Sequence, residues 1–179
     1  MSAPLGRPRL TGGTARNRPL AADVPSSARP TSARVREALF SMVGQQLDGQ
    51  RVLDAFGGAG LLALEAWSRG AEVVVVERDP RAIGAIRANV RALGAELRVV
   101  AGDVLALVPD LGRFDLILVD PPYALDPAPI LTRLATAASG SLVLEHEASR
   151  EPPTVAGLVL DRRKSYGGTA LAVYRAEEP

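Results

Sequence analysis

Short apolar runs alternate with amphipathic stretches along most of this 179-residue chain. Arg51–Asp54, Glu72–Glu77, Leu97–Val100 and Phe114–Val119 read as strands. Their near-continuous apolar character is that of strands covered on both faces, as in parallel sheets. Between them the apolar positions recur at helical spacing. Leu61–Trp67 reads as a helix start, and the longest helix runs from Pro80 to about Leu93, with Pro80 suited to its first turn. Upstream, Thr31 is placed to cap a helix through Val43 whose Val35, Leu39, Phe40 and Val43 share a face. Pro129 to about Ala137 reads as another helix and Ser141–Glu145 as a fifth strand. Val155–Asp161 and Thr169–Arg175 alternate weakly, and Tyr166-Gly167-Gly168 joins them as a hairpin. The pattern predicts an α/β, Rossmann-like fold: a seven-stranded, mostly parallel sheet with a C-terminal antiparallel hairpin.

In open sheets of this kind ligands bind outside the carboxyl ends of the strands, and that is where this sequence concentrates its acids and glycines. Asp54 ends the first strand, and Phe56-Gly57-Gly58-Ala59-Gly60 follows as a Gly-rich turn into a helix. Such a turn lets backbone approach a ligand closely, and the helix offers free N–H groups. Glu77 ends the second strand, where an acid can accept both hydroxyls of an adenosine ribose. Asp103, followed by Val104, comes after the third strand and can accept from an adenine amino group. Gly58-x-Gly60-x-x-Ala63 also satisfies the dinucleotide fingerprint, which keeps NAD as a competitor. Asp54 argues for S-adenosylmethionine instead, because a carboxylate there can bind the methionine ammonium but repels a pyrophosphate. The expected cofactor set is Asp54, Phe56, Gly58, Gly60, Glu77, Arg78, Asp103 and Val104.

Asp120-Pro121-Pro122-Tyr123 stands directly after the fourth strand. The prolines stop the strand and stiffen the backbone. The Asp120 carboxylate and the Pro121 carbonyl can then meet the hydrogens of one planar amine, while Tyr123 offers a face for a base. These four residues are the expected catalytic group, suited to N-methylation of a nucleobase.

Composition narrows the alternatives. Apolar residues make up 47% of the chain, enough for a real core. With no cysteine and one histidine, a disulfide framework and thiolate or His-rich metal sites are not expected. No apolar run reaches a membrane span and no segment reads as a secretory signal, so a cytoplasmic, metal-free, monomeric protein is expected. The net charge of +1 hides an asymmetry. Arg7, Arg9, Arg16, Arg18, Arg29, Arg34 and Arg36 face a single acid, Asp23, in the first 36 residues. Residues 1–28 therefore read as a basic arm that docks RNA phosphates without building the core, and 29–179 as the catalytic domain. The arm is either a disordered, Pro- and Gly-rich leader or a small hairpin turning at Gly12-Gly13. Arg9, Arg16 and Arg18 of the arm, with Arg29 and Arg34 just after it, are the candidate RNA contacts.

Arg29-Pro30-Thr31-Ser32-Ala33-Arg34-Val35-Arg36-Glu37-Ala38-Leu39-Phe40 resembles the RPTxxRVRExLF signature of the RsmD-type methyltransferases. Leu53–Gly60 is similar to that family's LDLFAGSG, and Leu64–Ala71, Asp120–Tyr123 and Tyr166–Thr169 extend the resemblance over nearly the whole chain. It implies a class I methyltransferase that uses S-adenosylmethionine to methylate N2 of one guanine in small-subunit (16S) ribosomal RNA, free or in an assembly intermediate. Two other readings stay open. One is adenine-N6 methylation of DNA or RNA, since Asp-Pro-Pro-Tyr is shared with such enzymes. The other is a non-catalytic nucleotide-binding protein or NAD-dependent oxidoreductase. The chain departs from the family at Gly57 and Ala59, where Ala and Ser are usual, and at Asn17, where Gly is usual. Glu145-His146-Glu147 keeps an acid after the fifth strand but adds a histidine, which is read as incidental.

Overall fold

A computed structural model describes residues 6–22 and 31–177. The expected boundary between residues 28 and 29 lies outside these. The elements alternate as the apolar pattern predicts: α1 (Ala33–Val43), β1 (Arg51–Asp54), α2 (Leu61–Ser68), β2 (Glu72–Glu77), α3 (Pro80–Leu93), β3 (Arg98–Ala101) and α4 (Val104–Leu111). There follow β4 (Phe114–Val119), α5 (Pro127–Ala135), β5 (Ala138–Glu147), β6 (Leu158–Tyr166) and β7 (Thr169–Ala176). One sheet holds all seven strands in the order β3-β2-β1-β4-β5-β7-β6. The first five strands are parallel, and β7 runs antiparallel to both β5 and β6. This is the class I methyltransferase architecture.

The strands are apolar throughout because both faces are covered. Side chains alternate across the pleat. Leu53, Val74, Val76, Ile117 and Val119 point to the side packed by Val104 and Val108 of α4 and Ile130, Leu131 and Leu134 of α5. Val52, Val73, Val75, Leu116 and Leu118 point to the side packed by Leu39 and Phe40 of α1, Leu62 and Ala66 of α2 and Ile86 of α3.

Local chemistry sets the element ends. Asp79, Asp103 and Asp126 cap α3, α4 and α5, each accepting from the N–H two residues on. The cap of α1 is Ser32, which accepts from Val35 N at 3.2 Å, and not Thr31 as the spacing suggested. The last hairpin starts later than expected, because Val155 and the turn before Leu158 belong to the connection.

The amino-terminal segment is folded onto the body. Leu10, Ala15 and Leu20 are buried in a third apolar cluster with Ala59, Leu61, Leu64 and Leu93. An antiparallel bridge joins Arg9 to Pro19, which makes the segment a small hairpin and not a disordered leader. Gly13 sits where a Cβ would fall 1.8 Å from Ser68 O, so its lack of a side chain permits the docking. The expectation that the arm leaves the core alone is corrected here. Its large apolar residues are few, but they face inward.

Candidate active site

The strand order reverses between β1 and β4, and a cleft of about 1100 Å³ opens at their carboxyl ends. Asp54, Phe56, Gly58, Glu77, Arg78, Asp103, Val104 and Asp120 through Tyr123 all line it, so the sequence-predicted residues converge on one place. Gly60 adjoins it as the residue that starts α2.

On the β1–β3 side, the acids are tied into the backbone. Asp54 accepts from Phe56 N at 3.4 Å and from Ala63 N at 3.1 Å, which folds the Gly-rich turn and caps α2 in place of the missing side-chain cap. Burial pushes its carboxyl up from 3.8 to about 7, against those two hydrogen bonds, and the Glu77 charge adds to the rise. Glu77 accepts from Gly58 N at 2.8 Å, Arg78 N at 2.8 Å and Asp79 N at 2.9 Å. It therefore clamps the turn as well as facing the cleft. Asp103 gives one oxygen, Oδ1, to Leu105 N. A Cβ on Gly58 would meet nothing within 4 Å, so the turn keeps open space beside the cleft. An amide-rich turn, with an acid acceptor at the first strand and another at the second, suits an amino acid joined to a nucleoside. S-Adenosylmethionine has that chemistry.

On the β4–β5 side, the acids have no backbone N–H donors among the described residues. Asp120 is half-buried at the end of β4. The Thr31 hydroxyl lies 2.9 Å from Glu145 Oε2 and 3.3 Å from Asp120 Oδ2, so it bridges two carboxylates. Burial pushes the Asp120 carboxyl well above the usual carboxylate range, and the charges of Glu145 and Asp54 push it the same way. Glu145 is raised too, by burial. Beyond Asp120 the chain turns, with Leu125 N donating to Pro122 O at 2.9 Å. Tyr123 is 41% exposed, and its hydroxyl shares a 3.1 Å hydrogen bond with Thr169 of β7. The hairpin thus steadies the ring that a base would stack on.

Sequence reasoning missed Thr31 and Glu145 as site residues. Thr31 had an ordinary capping role available, and Glu145 carries no motif of its own. The signal for Glu145 was its place: an acid ending a buried strand next to the strand that ends in Asp120. His146, on the same strand, donates through Nδ1 to the Glu147 carbonyl at 2.9 Å when in the matching tautomer. Burial lowers its affinity for a second proton.

The model of a family described as conserved hypothetical protein 95 matches residues 8–175. The chain belongs to this family, the RsmD-type methyltransferases. Ribosomal RNA small subunit methyltransferase D of Escherichia coli (strain K12) is 32% identical over 181 residues, covering 96% of this chain and 91% of that protein. A hypothetical protein of Thermus thermophilus has a solved structure with a TM-score of 0.80 and 36% identity, covering 92% of this chain and 97% of that one. The fold also extends to a T. thermophilus 16S rRNA N2 G1207 methyltransferase solved with AdoMet and guanosine. That match has a TM-score of 0.66 at 22% identity over 84% of this chain and 44% of that one.

The RsmD-type signature around α1 now has physical content. Arg36 is buried, and its guanidinium donates to the Thr31 carbonyl, to Arg9 O at 2.7 Å and to Glu65 Oε1 at 2.9 Å. Glu65 also takes Arg69 Nη1 at 2.5 Å and Thr11 N at 2.9 Å. One buried acid thus joins α1, α2 and the amino-terminal hairpin, and holds Thr31 over the cleft. The departures also find reasons. Asn17 has φ +66°, a left-handed conformation in which Gly is easiest and Asn is tolerated. A Cβ on Gly57 would lie 2.5 Å from Val75 Cγ2, so the bulk at Val75 and Ile86 leaves no room for Ala here.

The candidate RNA contacts separate in this structure. Arg18 donates to the Leu93 and Ala92 carbonyls at the end of α3, and Arg9 donates to Asn17 O. Arg16 and Arg34 are exposed. Arg34 lies 6.0 Å from the ring of Tyr166, a residue of the cleft rim, and Lys164 lies 5.6 Å from it. Arg29 is outside the described residues. Among the described residues no acid or histidine cluster could hold a metal ion, and no helix is long and apolar enough to cross a membrane.

Proposed function

We propose that this chain transfers a methyl group from S-adenosylmethionine to the exocyclic N2 of a guanine in small-subunit ribosomal RNA. The coarser assignment, an rRNA methyltransferase with S-adenosylmethionine as cofactor, follows from membership of the RsmD-type family and the names its members carry. The observation that carries methylation of an exocyclic amine is Asp120-Pro121-Pro122-Tyr123 at the end of β4, inside the cleft at the sheet's switch point, and the RsmD-type family membership supports guanine N2 over adenine N6.

The residues divide the work. Asp54, the Phe56–Gly60 turn, Glu77, Arg78, Asp103 and Val104 hold the cofactor, which supplies an electrophilic methyl group on a sulfonium. A guanine swung out of its RNA context stacks on Tyr123, at an unstacking cost of roughly a few kcal/mol. Asp120 and the Pro121 carbonyl accept from the two amino hydrogens, which leaves the nitrogen lone pair for bond formation. Alignment of the two reactants accounts for most of the rate, on the order of 7–11 kcal/mol in well-oriented systems. Arg16, Arg29 and Arg34 meet RNA phosphates, and Lys164 beside Tyr166 extends that surface along the rim. Arg9 and Arg18 serve the hairpin first, and any phosphate contact they make is secondary.

The test is methyl incorporation into small-subunit RNA, as naked RNA and as partly assembled particles, followed by digestion and mass spectrometry of the nucleosides. N2-Methylguanosine is the expected product. N6-Methyladenosine as the sole product, or no incorporation in either substrate, overturns the reading.

A further inference from the structure

Thr31 stands between two carboxylates that no backbone N–H reaches among the described residues. Its hydroxyl has one proton, 2.9 Å from Glu145 Oε2 and 3.3 Å from Asp120 Oδ2. Its position is fixed from behind by the buried Arg36, which donates to the Thr31 carbonyl and is paired with Glu65. All three side chains line the cleft, and Thr31 and Glu145 are at most 8% exposed. A hydroxyl held this firmly, between acids on adjacent strands, is an expensive arrangement in a core. Two nearby anions repel, and each loses hydration.

We propose that Glu145 and Thr31 are positioning residues for Asp120, and that the three side chains act as one proton-sharing unit serving the substrate amine. The proposal rests on the reading that Asp120 grips that amine. As the amine nitrogen bonds to the methyl carbon, the carbon–sulfur bond breaks and its electron pair stays on sulfur. The nitrogen becomes cationic and must lose one proton. That proton passes along the existing hydrogen bond to Asp120. An ordinary exposed carboxylate is a weak acceptor. Asp120 is a better one because the anion of Glu145 faces it, and the Thr31 hydroxyl swings to whichever carboxylate carries the charge. The charged and titratable groups bearing on Asp120 are Glu145 of β5 and Asp54 of β1, with Tyr123 and Tyr166 on the cleft walls. Glu145 differs from Asp54 in sharing a hydrogen-bonding partner with Asp120.

Two measurements on the full chain test this. The first follows the Asp120 carboxyl by carbon-13 NMR against pH in the free protein, assigned with Asp120→Asn. In the wild type it should titrate above the usual carboxylate range. Glu145→Gln should lower the midpoint by about one unit or more, the coupling of two close carboxylates. Thr31→Val should raise it, since a donor to the anion is lost, and Thr31→Ser should restore the wild-type value. Unmoved midpoints in Glu145→Gln and Thr31→Val overturn the proposal. The second measures single-turnover methyl transfer to small-subunit RNA. Activity needs Asp120 ionised, so in Glu145→Gln the acid limb should move to lower pH. The plateau rate should drop by up to about tenfold per unit of proton affinity lost. KM for RNA and cofactor should hold. A raised KM with an unmoved acid limb would assign Glu145 to binding or folding instead. If the titrations behave as expected but the wild type methylates no small-subunit RNA, the functional reading fails and the proton-sharing unit stands.

Discussion

The two sides of the cleft use carboxylates in opposite ways. On the β1–β3 side, Glu77 alone takes three backbone N–H groups, and Asp54 takes two more. These acids shape the Gly-rich turn between β1 and α2. On the β4–β5 side, Asp120 and Glu145 share one hydroxyl and little else among the described residues. Amide donors fix a carboxylate's rotamer and offset part of the rise that burial causes, as at Asp54, whereas the Asp120 carboxyl is buried with no amide among the described residues to offset it. The first side is therefore built to hold shape, and the second is free to exchange a hydrogen bond with the amine that the proposed function places there. A strand end followed by a helix produces the first kind almost automatically, since the helix brings free N–H groups. The Pro-Pro step after Asp120 denies those donors, because proline has no N–H.

This contrast can be broken at several points. Asp120→Ala should cut methyl transfer by about 10²- to 10⁴-fold, the range for losing a positioned proton acceptor, with cofactor affinity unchanged by calorimetry. Loss of cofactor binding in that variant would mean the two sides are not separable.

Asp54 tests the same contrast through stability. Its carboxyl is raised from 3.8 to about 7 in the fold. Below about pH 4 it is protonated folded and unfolded alike, and between there and pH 7 only the folded chain keeps the proton. Stability relative to Asp54→Asn should therefore fall as pH rises from about 4 to about 7 and level off above, by on the order of 4 kcal/mol over that window at 1.36 kcal/mol per unit. Urea denaturation of both proteins at pH 5 and pH 8 spans about two of those units, roughly 3 kcal/mol, and parallel behaviour would contradict the burial argument.

Leu20→Ala removes a fully buried side chain beneath the Gly-rich turn, where Leu20 shares a cluster with Ala59 and Leu61. It should cost about 2–5 kcal/mol of stability. It should also weaken cofactor binding more than it slows chemistry, since Leu20 packs in the cluster beneath the Gly-rich turn while Arg36 keeps its pairing with Glu65. Thermal melts with and without cofactor would separate the two effects.

Glu77→Gln should weaken cofactor binding by about 1–3 kcal/mol while the rate at saturating cofactor holds, the mirror image of Asp120→Ala. The smallest effect is expected from Tyr123→Phe. It keeps the stacking face, worth about 1–3 kcal/mol per base, and loses only the hydrogen bond to Thr169, about 0.5–1.5 kcal/mol. A rate as low as that of Tyr123→Ala would point to the hydroxyl as the working group.

Much of the site was legible because its parts are local. Asp54, Glu77, Asp103 and Asp120 each end an apolar run, and a strand end in a parallel sheet is a position on the cleft wherever the strand lies in the order. The parts that escaped are non-local. Thr31 meets Asp120 and Glu145 across 89 and 114 residues of chain. The arginines misled for a related reason. Arg36 looks like any other cation of the basic stretch, yet its face of α1 turns inward to Glu65, and only packing shows that. Leu10 and Leu20, flanked by charge and proline, have no periodicity to mark them as core.

By itself the sequence determined the alternation of strands and helices, the acids and glycines at the strand ends, and the Asp-Pro-Pro-Tyr step, since hydrophobic period, turn chemistry and missing N–H groups act within a few residues. Tertiary structure alone decided which carboxylates stand face to face, which arginines are buried in ion pairs, and that the basic hairpin packs beneath the Gly-rich turn. Those outcomes depend on strand order and helix rotation, which bring distant residues within hydrogen-bonding range and set, through burial and neighbouring charge, what each acid can do.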